Sequence, residues 1–73
     1  MRREEMERKL GMGVSSLNLP PRIINRLENE RILNVEDLLN LTPEHVLEIR
    51  QLGPKGLDQI YEALAEIGFS KRN

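Results

Sequence analysis

Residues that start or stop helices recur so often after Val14 that no long element fits between them. Pro20-Pro21, Asn34, Thr42-Pro43 and Gly53-Pro54 each suit the start of a helix, and Gly68 suits an end. Proline costs nothing in a first turn, where its missing N–H would have no partner, and Asn or Thr side chains accept from first-turn amides. Ile23, Ile24 and Leu27 share one side of a helix over roughly 21–30, while Arg22, Asn25, Arg26 and Asn29 share the other. A short helix follows Asn34, with Glu36 and Asp37 at its positive end, and another follows Thr42 with Glu44. Leu57, Ile60, Tyr61, Leu64 and Ile67 then repeat at i, i+3, i+4, i+7 and i+10, the clearest helix in the chain. No strand-like alternation competes.

The chain has 73 residues, enough for one domain with a modest core. The expected fold class is all-α, four to five short helices. Their core is expected from Ile23, Ile24, Leu27, Ile32, Val35, Leu38, Leu39 and Leu41, then Val46, Ile49, Leu52, Leu57, Ile60, Leu64 and Ile67, with Leu47 turned partly inward. Residues 1–13 are charged and pair Glu4 with Arg8 and Glu5 with Lys9 at helical spacing; they are expected as a helical or disordered tail with no core role. The domain is expected over 14–70, and 71–73 as a basic tail containing Lys71-Arg72.

The lack of cysteine excludes disulfides and cysteine-bound zinc and fits a reducing cytoplasm. No apolar run suits a membrane span or a secretory signal. The formal charge is −1, so bulk electrostatics does not mark a nucleic-acid binder, and any such reading rests on where the cations sit. The aromatic residues are Tyr61 and Phe69, too few for a base-stacking platform.

Two groupings carry possible chemistry. The first is the hairpin Ile49-Arg50-Gln51-Leu52-Gly53-Pro54-Lys55-Gly56-Leu57. The first N–H groups of a helix lack internal partners and carry partial positive charge, so a phosphate can sit there. Gly53 and Gly56 would let it approach, and Lys55 adds a full charge; an ordinary αα-corner needing glycine for geometry alone is the alternative. The second is the stripe Arg22, Asn25, Arg26, which suits the negative potential and edge acceptors of a narrow minor groove, or equally a solvated polar face.

Other residues offer less. His45 is the only histidine and reads as a surface residue, and with no cysteine no ordinary metal site can be assembled around it. Glu28 with Glu30, and Glu44 with Glu48, are helix-surface charges without a cleft, and Ser15-Ser16 has no base nearby. Gly53-Pro54-Lys55-Gly56 lacks the spacing of a nucleotide-hydrolase loop.

Leu19-Pro20-Pro21-Arg22-Ile23-Ile24-Asn25-Arg26-Leu27, Ile32, Val35-Glu36-Asp37-Leu38-Leu39 and Leu52-Gly53-Pro54-Lys55-Gly56-Leu57 together resemble the C-terminal domain of the bacterial RNA polymerase alpha subunit, over roughly residues 16–69. The resemblance implies a helix-hairpin-helix fold that binds the minor groove of A·T-rich upstream promoter DNA and its phosphate backbone, and that meets polymerase subunits, sigma factor or activators. It implies DNA contacts at Arg22, Asn25, Gly53 and Lys55, and Arg26, Gln51, Gly56 and Gln59 are expected to bind DNA on the same surface. It implies no cofactor, metal, membrane or small-molecule substrate, and a place in the bacterial cytoplasm with the nucleoid. Several positions depart from the family. Arg26 stands where a small residue or cysteine is usual, Gly56 replaces a serine, and Gln59 replaces a common glutamate. Ser16 and Asn18 stand where the family often has acidic residues that meet sigma. Segment 1–13 differs from the family's long flexible linker, leaving a stand-alone homologue and a trimmed alpha subunit both open.

The first functional expectation is therefore a non-catalytic, DNA-binding and protein-contacting module of transcription. The second is an adaptor that binds polymerase or a regulator without touching DNA, which the acidic Glu28, Glu30, Glu36, Asp37 and Glu48 favour. A third, a DNA-holding fragment of an enzyme such as a glycosylase or ligase, lacks any residues for the chemistry.

Overall fold

The computed structural model describes residues 2–69; the Lys71-Arg72 tail lies outside them. The described residues form five α-helices: α1 (Arg3–Leu10), α2 (Pro21–Asn29), α3 (Val35–Leu39), α4 (Pro43–Glu48) and α5 (Gly53–Glu66), with a 3-10 turn at Val14–Ser16. Among them no β-strand forms, and one isolated bridge joins Gly13 to Asn34.

The helix starts follow local chemistry. Asn34 closes a capping box with Asp37: the Asn34 side chain accepts from the Asp37 amide at 2.8 Å, and the Asp37 carboxylate accepts from the Asn34 amide at 3.4 Å. Thr42 caps α4 by accepting from the His45 amide at 3.2 Å. Asn34→Ala should cost about 1 kcal/mol in a urea melt, since it leaves first-turn amides unpaired.

Two helices end in the same way with different residues. At the end of α5, Gly68 adopts φ +103°, and the Phe69 amide donates to the Leu64 carbonyl at 2.9 Å. At the end of α2, Arg31 takes the corresponding place at φ +64°, and the Ile32 amide donates to the Leu27 carbonyl at 2.9 Å. A non-glycine residue there bears about 1–2 kcal/mol of steric strain. Glycine would relieve it while adding about 0.4–1 kcal/mol of unfolded-state entropy. Arg31→Gly should therefore stabilise the domain by up to about 1 kcal/mol in chemical denaturation.

The core is one cluster. Val14, Leu27 and Val35 are fully enclosed, Ile23 and Ile60 nearly so, and Leu38, Val46, Ile49, Leu52, Ala63 and Leu64 complete its centre. Ile24, Leu41, Leu57 and Ile67 pack at its edge. Leu39, expected inside, is 40% exposed, and Leu47, expected partly inward, is 47% exposed. A helix of five or six residues buries one narrow side, already filled by Val35 and Leu38 in α3 and by Val46 in α4. Conversely Val14, Leu17, Leu19 and Ala63 are core residues that the apolar periodicity did not single out.

In the N-terminal segment a helix forms, one of the two expected states, but the expected lack of a core role is not met. α1 forms and buries none of its own residues, with Glu5–Lys9 paired at 3.3 Å and Arg3–Glu7 at 3.7 Å. The pairing of Glu4 with Arg8 is not among the ion pairs of the described residues. Beyond α1 the chain is stitched to the α2–α3 connection: the Val35 amide donates to the Met12 carbonyl at 2.8 Å, and the Val14 amide to the Leu33 carbonyl at 3.0 Å. Met12 consequently packs against the core, giving segment 1–13 a part in it.

Candidate nucleic-acid interface

The candidate surface begins on α2. At about 100° per residue, the buried Ile23 and Leu27 define the inner side. Arg22 and Asn25 fall on the outer side and are both exposed, whereas Arg26, half-buried, falls at its border. That border position directs Arg26 toward the α4–α5 turn, where its Nη2 donates to Oε1 of Gln51. The contact joins residues 25 apart in sequence and sets the polar side of α2 beside the hairpin. Arg22 precedes Arg26 by one helical turn and therefore lies next to it on the same side.

The turn itself is tightly built. The Leu52 amide donates to the Ile49 carbonyl at 3.3 Å, and Gln51 and Gly53 have φ of +65° and +68°. A side chain at Gly53 would meet nothing within 4 Å, so the glycine answers to its left-handed backbone and leaves open space outside it. Gly56, expected to make room for a phosphate, is instead buried. Its amide donates to the Leu52 carbonyl at 3.1 Å, and an added Cβ would lie 2.9 Å from the Cγ of Leu52. Packing within the hairpin accounts for that glycine. Lys55 is exposed in the first turn of α5, and Gln59, one turn on, is half-buried.

The helix ends differ in electrostatics. α1, α3 and α4 carry acidic residues in their first turns; α2 and α5 carry none and have no side-chain cap. Both instead place a cation there, Arg22 and Lys55. A cation at the positive end of a helix opposes the helix dipole, so it is unfavourable for the helix and favourable for an anion brought to it. Arg50 stands in the turn and adds a further cation to which the sequence reading assigned no role; its position inside the hairpin was the available signal.

The family described by the C-terminal domain of the alpha chain of bacterial RNA polymerase matches residues 1–66. This protein belongs to that family. The match begins at residue 1, so it takes in segment 1–13 as well as the helices that suggested the resemblance. Among curated relatives, the DNA-directed RNA polymerase subunit alpha of Rhodopirellula baltica is 38% identical over 65 residues, 89% of this chain and 20% of the relative. The subunit alpha of Cutibacterium acnes is 36% identical over 96% of this chain and 21% of its own length. That of Moorella thermoacetica is 33% identical over 96% of this chain and 22% of its own length. The chain thus spans about a fifth of the relatives it matches.

Ser16 and Asn18, the positions expected to face a protein partner, are both exposed at and just after the 3-10 turn. The side-chain amide of Asn18 donates to Oε2 of Glu66 at 3.3 Å. Position 18 carries no charge of its own, yet a carboxylate from the last turn of α5 sits against it. His45 is exposed, as expected of a surface residue, and among the described residues no group of three or more His, Asp or Glu is placed to hold a metal ion. No helix among them is long and apolar enough to cross a membrane.

Proposed function

We propose that this domain binds double-stranded DNA without catalysing a reaction, placing Arg22 and Asn25 in the minor groove of A·T-rich sequence while Gly53 and Lys55 hold the adjoining phosphates. The observation that carries this reading is the Arg26–Gln51 contact, which links α2 to the turn before α5; each of these helices has an uncapped start bearing a cation. The relatives' description as subunits of a DNA-directed RNA polymerase supports it, and is consistent with action at the bacterial nucleoid in the cytoplasm. Minor-groove edges distinguish mainly A·T from G·C, so specificity should be broad. Few phosphates are neutralised, so affinity should be modest and its salt dependence shallow.

Titration of the labelled protein with A·T-rich and G·C-rich duplexes tests this. Amide signals of Arg22, Asn25, Gly53 and Lys55 should move, more at equal concentration with the A·T-rich duplex. Lys55→Ala should weaken both duplexes alike and lower the salt slope by about one. Unmoved signals with either duplex would leave the domain as a protein adaptor.

A contact with polymerase, sigma factor or an activator through Ser16 and Asn18 is the second reading. The carboxylate that Glu66 brings to Asn18 favours it, because that surface regains the negative charge that position 18 lacks. Charge reversal by Glu66→Lys should then weaken capture of a basic partner surface while leaving DNA binding intact.

A further inference from the structure

We propose that Arg26 is a positioning residue: by holding Gln51 it sets the hairpin turn against α2, and so couples the groove-reading side chains to the phosphate-holding ones. The inference rests on the DNA-binding reading for its consequence, but its structural part stands on the free protein.

Gln51 holds a costly backbone conformation. It is a non-glycine residue at φ +65°, exposed, and two positions before Gly53 at φ +68°. That region is disfavoured for side chains with a Cβ, so a contact made by the Gln51 side chain adds to the backbone bonds that keep the turn in place. Among the described residues the side-chain hydrogen bond that reaches this turn is the one from Arg26. It comes from an element 25 residues earlier, so it acts as a tie across the fold rather than a local cap.

Arg26 is suited to the task. It lies at the border of the polar side of α2, so its stem can run along the helix while its head reaches the turn. A planar guanidinium carries five donors in a fixed fork, and a single bond to Gln51 leaves others free toward the solvent. Because Gln51 is neutral, the contact leaves the positive charge of Arg26 uncompensated. The same residue therefore ties the turn and keeps the surface cationic.

Removing the tie can be separated from removing the charge. Gln51→Ala deletes the acceptor and no charge; Arg26→Ala deletes both. In the free protein, each variant should shift the backbone amide signals of residues 51–55 and speed their hydrogen exchange, with the urea midpoint near that of the parent. Gln51→Glu, which retains an acceptor, should return the amide pattern toward the parent's. With A·T-rich duplex, Gln51→Ala should weaken binding about 2–10-fold, the worth of one hydrogen bond. The double variant should be no weaker than Arg26→Ala alone. Unmoved hairpin amides in Gln51→Ala, or a Gln51→Glu pattern no closer to the parent than that of Gln51→Ala, would overturn the proposal. So would parent-like DNA affinity in Gln51→Ala together with additive losses in the double variant, the result expected if Arg26 only touched DNA. If the parent binds neither duplex while the amides still respond, the DNA-binding reading fails and the tie remains.

Discussion

Leu27→Ala should cost about 2–5 kcal/mol of stability, the largest effect expected from any single truncation in this fold. Leu27 has no exposed surface and belongs to the core cluster that joins α2 to α5. Its carbonyl also accepts from the Ile32 amide, so the cavity would open beneath the turn that ends α2. A domain of this length holds on the order of 4–11 kcal/mol in total. The variant should therefore show a large fall in urea midpoint and a folded fraction that depends on temperature near ambient conditions. Leu39→Ala makes the control: the same atoms are removed from a side chain 40% exposed, and the midpoint should shift little. Equal losses in the two variants would contradict the burial pattern described above.

Arg22→Ala should leave folding nearly unchanged and weaken binding to A·T-rich duplex by about 1–3 kcal/mol, roughly 5- to 150-fold. The side chain is exposed and takes part in no ion pair or side-chain hydrogen bond among the described residues, so the fold does not depend on it. Its proposed work is in the groove, where a planar guanidinium meets a narrow and strongly negative space. Arg22→Lys should recover part of the loss, because charge remains while the fork geometry is gone. Fluorescence anisotropy against a fixed duplex at two salt concentrations would read both effects. Affinity unchanged in Arg22→Ala would remove α2 from the interface.

The residues that start and stop helices were readable because their physics is local. Asn34, Thr42, Pro21 and Pro54 act on amides within one turn, and each helix begins where they stand. Gly68 ends α5 for the same reason. Arg31 escaped that reading, since nothing local marks an arginine for φ +64°; the helix turns there because Ile32 is drawn into the core over Leu27. Val14, Leu17 and Leu19 escaped it too. They lie outside any helical period and are buried because the segment after α1 hydrogen-bonds to the α2–α3 connection.

The candidate interface divides along the same line. Cations at the starts of α2 and α5, and a glycine that frees the backbone between α4 and α5, are properties of short segments and could be named from residue types and spacing. Spacing left them as two separate groupings, which only the family resemblance implied to be one surface, and the contact between their neighbourhoods was not readable. It depends on how the core turns α2, which brings the border of that helix, and with it Arg26, against Gln51. Packing likewise assigns Gly56 to Leu52 and leaves Leu39 and Leu47 outside. Helix ends are governed by neighbours in the sequence, whereas the pairing of surfaces is governed by which apolar side chains find room together, and that is a property of the assembled core.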